Sequence, residues 1–220
     1  ASSAASDVYK RQLIYNSPTF GDEVRTFCMN PNGEVVQENY NGISTVNGHS
    51  YAEKTTNNTN FALLVSEKFT EPFKEPIQYG QHIARLANML GGGILVQRFG
   101  DLLDGRRSTP ERIKSSIIKP TLTCATPGDL SLVIPYRQMT SIIEMLQALD
   151  KICPGTASRY TLLYGIEVKF YSARVKLTNE LETEGVKNLF AIGDGAGVTR
   201  GLIQASASGV HVARTICARG

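Results

Sequence analysis

One short run constrains this chain more than any other: Asn188-Leu189-Phe190-Ala191-Ile192-Gly193-Asp194-Gly195-Ala196-Gly197. Asn188 to Ile192 reads as a short apolar strand running into a tight glycine turn. Three glycines within five residues allow positive φ and close approach of the backbone to a ligand. A helix is expected to open near Thr199 to Gly201 and to run to about Ala218. Its Ile203, Val210, Ala213 and Cys217 repeat at helical spacing and are expected to form the core face. Ser206 and Gly209 are small enough to let that face lie close to a sheet. Asp194 falls at the carboxyl end of the strand, where open α/β sheets place their ligands. The first helical turn offers N–H groups to an anion or polarised oxygen.

The turn does not fit the dinucleotide fingerprint. In Gly195-Ala196-Gly197-Val198-Thr199-Arg200 an arginine stands where the third glycine is required, and Gly201 comes one residue late. No acidic residue follows about 20 residues on. This is therefore not the pyrophosphate-binding first unit of a Rossmann domain. Thr183 followed by Leu189-Phe190-Ala191-Ile192-Gly193-Asp194 resembles instead the second FAD motif of flavoproteins of the glutathione-reductase type. The longer run from Gly193 to Ser206 is similar to a bacterial group of FAD-dependent, dehydrogenase-type proteins. The resemblance implies that Asp194 holds a ribityl hydroxyl of FAD. It also implies that the next helix points its start at the pyrimidine edge of the isoalloxazine. The FAD-binding residues would be Gly193, Asp194, Gly195, Ala196, Gly197, Arg200, Gly201, Leu202 and Ile203. A charge-assisted bond from hydroxyl to carboxylate is among the stronger kinds, and a helix start favours negative charge on a reduced flavin.

Ser2 to Gln12 resembles the translation of a transposase sequencing adapter, eleven residues in one frame. Residues 1–12 are accordingly expected to be adapter-derived or disordered, with the upstream part of the gene missing. Such scars stay outside fold reasoning.

From Leu13 to Glu67 the chain reads as β-rich. Strands are expected over Glu23 to Cys28, Glu34 to Gln37, Ile43 to Val46 and Phe61 to Ser66. Asn30-Pro31-Asn32-Gly33 is a turn sequence, and Glu53 to Asn60 reads as a polar loop. The run Val24 to Val36 is similar to the same FAD-dependent group. That group often carries a second cysteine where Asn30 stands, so Cys28 is expected to be a buried thiol rather than half of a redox pair. Tyr79 to Leu90 reads as a helix stopped by Gly91-Gly92-Gly93. Phe99, Leu102 and Leu103 form a short amphipathic piece, and Thr109-Pro110-Glu111 starts another helix. Thr126 to Leu130 reads as a turn entering a strand over Leu130 to Ile134. Gln138 to Ile152 is the clearest helix, with Ile142, Ile143, Leu146 and Leu149 on one face. Thr161 to Phe170 is a strand-rich return.

The order of these elements gives the fold class: α/β plus α+β. It reads as the C-terminal part of a split FAD/NAD(P)-binding domain, with an inserted α+β domain and the N-terminal Rossmann unit missing. Residues 13–165 would form the insertion on the substrate side, and 166–220 the returning half.

The formal net charge of +3 is too small to imply a nucleic acid or a membrane as partner. The densest basic region, Arg98 to Lys119, reads as a solvated helical face. No window of about 18 apolar residues marks a membrane span. Cys28, Cys124, Cys153 and Cys217 share no metal or redox spacing, and no metal is expected. Their number fits a reducing cytoplasm. The function expected is that of an FAD-dependent oxidoreductase fragment, with NAD(P)H as a candidate electron donor and the catalytic residues unassigned. Tyr136, Arg137, Tyr164 and Arg174 are the polar candidates. The alternative is a non-catalytic flavin-binding or scaffold protein. The substrate and the oligomeric state are not legible.

Overall fold

The computed structural model describes residues 12–67, 69–168, 175–199 and 201–219. The chain divides into two compact units, one of residues 12–168 and one containing 175–219.

The larger unit is a mixed α/β assembly of three small sheets and four helices. Strands β1 (Ile14–Asn16), β2 (Glu23–Asn30) and β5 (Asn60–Val65) form an antiparallel sheet in the order β1-β2-β5. Val24 and Thr26 alternate inward along β2, as a half-buried strand requires. The β2–β5 register slips between Phe27 and Asn30, and Cys28 takes φ +45° there. Strands β3 (Glu34–Tyr40) and β4 (Ile43–His49) form a separate hairpin. The turn at Asn30 to Gly33 therefore joins two sheets rather than closing a hairpin between its flanking strands.

Helix α1 (Pro76–Gly91) ends as the glycine triplet predicts. Gly92 takes φ +68°, and its N–H bonds to the Asn88 carbonyl. Next comes β6 (Leu95–Arg98), which pairs in parallel with β7 (Thr126–Pro127) and antiparallel with β8 (Leu162–Gly165). β6 is central, and Leu95, Val96 and Gln97 are all buried. Gln97 is satisfied there: its amide donates to the Arg106 carbonyl at 2.9 Å and accepts from the Leu130 N–H at 2.8 Å. Short helices α2 (Phe99–Leu103) and α3 (Pro110–Lys114) follow. The Thr109 side chain caps α3 by accepting from the Arg112 N–H.

Helix α4 (Tyr136–Ile152) ties the unit together. Leu146 and Met139 enter one apolar cluster with Leu95, Phe99, Leu130 and Ile166. Met145 and Leu149 enter a second with Val24. Phe61 and Leu63 of β5 pack against both clusters.

Two expected strands are absent. Leu130 to Leu132 is a turn of 3-10 helix. Asp129 accepts from the Ser131 N–H and hydroxyl at 2.9 and 2.7 Å, and this local capping outcompetes an extended backbone. Among the described residues, Asn188 to Ile192 forms one isolated bridge, from Phe190 to Glu182. Asn188 itself has φ +61°, a left-handed backbone that breaks the extended run. Without a neighbouring ladder, apolar character alone does not make a strand.

The smaller unit holds a looped segment from 175 to 199 and helix α5 (Leu202–Arg219). The expected core face of α5 is corrected. Ile203, Val210, Ala213 and Cys217 are exposed, and the helix instead buries Ser208 and Val212, with Ala205, Gly209 and Thr215 flanking. Small residues at that spacing let the segment before the turn pack close. A methyl group at Gly209 would sit 3.7 Å from Ile192 Cδ1. Ser206, expected on the packed side, is exposed.

Candidate functional site

The glycine turn is built by alternating conformations. Gly193 has φ +73° and Gly197 φ +68°, with Asp194 to Ala196 as one 3-10 turn between them. Gly195 does not take positive φ. A side chain there would meet nothing within 4 Å, so its value is open space rather than backbone freedom. Gly201, at φ +104°, makes the last bend before α5, also with open space beside it.

Asp194 lies at the centre of this loop. The Thr199 hydroxyl donates to its Oδ1 at 2.7 Å, and the Gly201 N–H donates to Oδ2 at 3.2 Å. The carboxylate thus holds the start of α5 from one turn away. An ionised carboxylate has about four lone-pair sites, so capping a helix and receiving a ligand hydroxyl are compatible roles. Behind the turn the Ser208 hydroxyl accepts from the Gly193 N–H at 3.1 Å and donates to the Ala205 carbonyl at 2.6 Å. A hydroxyl on the buried face of α5 therefore locks the turn. From the sequence, Ser206 and Gly209 are the small residues expected to pack on this helix, not Ser208.

The surface at the helix start is open. Leu202 and Ile203 are exposed in the first turn, Ile203 to 65%. Ala196 is buried beneath, and its carbonyl accepts from the Val175 N–H at 3.3 Å. Eight of the nine predicted cofactor-binding residues therefore sit in one continuous loop and helix start. The ninth, Arg200, lies outside the described residues.

Thr183 does not join the turn. Its N–H donates to the Leu189 carbonyl at 2.7 Å and its hydroxyl to Val186 at 3.1 Å, closing the loop that precedes it. At the other end of α5, Arg219 clamps two carboxylates, bonding Glu180 and, at 2.6 Å, Glu182. Its guanidinium also lies 5.1 Å from the centre of the Phe190 ring. Hydrogen bonding to Arg219, then to the Asn188 N–H, holds the Glu182 carboxyl below the usual range and raises Arg219. A basic residue in the last helical turn is a sequence signal. Its acidic partners, more than thirty residues earlier, are not.

The polar candidates are not brought together. Arg137 forms a two-pronged pair with Asp22, at 2.7 and 2.6 Å, holding the Asp22 carboxyl low. Tyr136 is exposed and packs edge-on against Phe20. Burial pushes the Tyr164 phenol up, against a smaller opposing effect of the Thr121 backbone. Arg174 lies outside the described residues. Cys28 is half-buried. No helix among the described residues is long and apolar enough to cross a membrane.

Comparison with known proteins bears on both units. The family model described as FAD-dependent protein, C-terminal domain-like, matches residues 7–170. An uncharacterized protein of Clostridium beijerinckii is 33% identical over 217 residues, covering 93% of this chain. The chain spans 40% of that relative's length. The family match ends before the glycine turn, so it rests on the larger unit and not on Asp194.

Proposed function

This chain belongs to the family of FAD-dependent proteins, C-terminal domain-like, and we propose that it is the C-terminal portion of an FAD-dependent oxidoreductase. The observation that carries the reading is the glycine turn from Gly193 to Gly197, closed by Asp194 over the open start of α5. Bound FAD would supply the electron transfer. The chain's own part is to bind and orient. Asp194 would accept a ribityl hydroxyl. The backbone at Gly195, Ala196 and Gly197 would pass close to the ligand, since a Cβ at Gly195 has nothing near it. The N–H end of α5, from Gly201 to Ile203, would favour negative charge on the pyrimidine edge of the flavin. Arg200 stays with this set. Residues 13–165 would form the domain inserted on the substrate side, and 166–220 the returning half of a split FAD-binding domain. Cys124, Cys153 and Cys217 are free thiols, which supports a cytoplasmic setting.

The test is purification of the intact protein, from the gene with its upstream sequence, followed by visible absorption and anaerobic reduction with NADH and with NADPH. A bound flavin, about one per chain, reduced by either nucleotide or by a supplied substrate supports the oxidoreductase. A tightly bound flavin reducible by chemical reductant alone favours the non-catalytic flavin-binding reading. A colourless protein that takes up no added FAD overturns both.

A further inference from the structure

A second set of charged side chains converges in the larger unit, well separated in sequence from the glycine turn. Asp101, on α2, is 1% exposed. The Arg106 Nε lies 3.1 Å from its Oδ1, the Arg112 Nη1 3.9 Å from the same oxygen, and the Arg98 Nε 4.0 Å from Oδ2. The Ser108 hydroxyl donates to Oδ2 at 2.8 Å. Asp104, one turn on, takes Arg106 Nη2 at 3.0 Å and Arg159 Nη2 at 2.5 Å. The bond from Arg159 holds the Asp104 carboxyl below the usual range, with the charges of Arg106 and Arg112 adding to it. Four guanidinium groups thus gather around two carboxylates, an excess of two positive charges.

The carboxylates hold the arginines without using them up. Each guanidinium carries five N–H donors, whereas each carboxylate offers about four lone-pair sites. Arg98 Nε is buried and makes no hydrogen bond. The other three heads reach solvent, with side-chain exposures of 48% for Arg106, 37% for Arg112 and 55% for Arg159. Their backbones are anchored. The Arg106 carbonyl accepts from the fully buried Gln97, and the Arg159 carbonyl accepts from the Gly100 N–H at 3.0 Å. Gly100 has no room for a side chain, because a Cβ there would fall 2.8 Å from that of Arg159. A buried charge is costly unless it is paired and hydrogen-bonded, and Asp101 is both. Here it positions forked donors on an accessible face.

We propose that Arg106, Arg112 and Arg159, backed by the buried charge of Arg98, form a binding site for the phosphate group of a small ligand. Paired guanidinium forks match phosphate oxygens in geometry and charge. An excess of two charges in a compact patch balances one phosphate dianion. A nucleic acid is disfavoured, because its binding draws on many phosphate contacts and the whole chain carries only +3.

Inorganic phosphate is the probe, titrated calorimetrically into the intact, flavin-loaded protein so that any site for the FAD diphosphate is already filled. Saturable binding is expected. Arg106→Gln and Arg159→Gln should each weaken it by about tenfold or more, the range for a charged hydrogen bond. Arg159→Lys, which keeps the charge and loses the fork, should fall between. Arg85→Gln, on the exposed side of α1, should leave it unchanged. Competition by NADP+ and not NAD+ would place the phosphate on a dinucleotide, and competition by neither on a smaller ligand. Absence of saturable binding would overturn the site. So would equal affinity in wild type and an Arg106→Gln/Arg159→Gln double variant that melts at the wild-type temperature, because the network would then be structural only.

Discussion

Asp194 has two roles to separate. Its carboxylate accepts from Thr199 and Gly201, and it is proposed to accept from a flavin hydroxyl. Asp194→Ala should weaken flavin binding in the intact protein by about 1.5–3 kcal/mol, the worth of a charge-assisted bond. Asp194→Asn keeps an oxygen acceptor for the Gly201 amide and loses the charge, so it should retain more of the helix start and still lose flavin affinity. Equilibrium dialysis with FAD, read beside far-ultraviolet circular dichroism, separates the two effects. Wild-type flavin retention in Asp194→Ala would end the assignment. The three turn glycines are not equivalent. Gly197→Ala forces a Cβ into left-handed backbone and should cost about 1–2 kcal/mol. Gly195→Ala meets open space and no positive φ, so its melting temperature should stay at that of the wild type. A bulkier Gly195→Val is the variant expected to reduce flavin content, by filling the ligand's space.

Elements in this protein are held at their ends. Near the end of α1, Asn88 accepts from the Ser44 N–H at 2.8 Å and donates to the Ser44 carbonyl at 2.9 Å. It also donates to Gly93 at 3.2 Å. One side chain thus docks the β3–β4 hairpin on the helix. Asn88→Ala should destabilise the larger unit by about 1–3 kcal/mol, because partly buried polar groups lose their partner, and urea unfolding checks it. At the end of α5, Arg219 holds Glu180 and Glu182. Glu182 is depressed in the folded state, so its contribution is present above the ordinary glutamate value of about 4.3. It is lost as pH falls below that through the lowered folded value. The melting-temperature difference between wild type and Arg219→Ala should therefore be larger at about pH 7 than at about pH 3. A difference that grows on acidification would contradict the pairing.

At the scale of the molecule, the two units differ in what they can bury. The unit of residues 12–168 has two apolar clusters bridged by α4. Expressed alone, it should unfold in one cooperative transition by calorimetry. The segment 175–219 leaves Val186, Leu189, Ile192, Ile203 and Val210 exposed. A piece below roughly 50 residues seldom buries enough surface to fold alone, so as a peptide it should show little fixed structure by circular dichroism. A cooperative melt of that peptide would show the opposite.

Local chemistry was readable from the sequence because its causes are local. The Gly92 stop, the Thr109 cap and the span of α4 each depend on residues a few positions apart. The family resemblance on Val24 to Val36 is likewise carried by adjacent residues. What needed the tertiary structure were the relations across long separations. β2 pairs with β5 rather than β3, and Asp104 takes Arg159 from 55 positions away. The apolar run Asn188 to Ile192 is not a strand, and α5 buries Ser208 and Val212 rather than Ile203 and Val210. Periodicity gives which residues share a face. Which face is buried depends on what packs against it, and a ladder on what pairs with it, and both partners come from elsewhere in the fold.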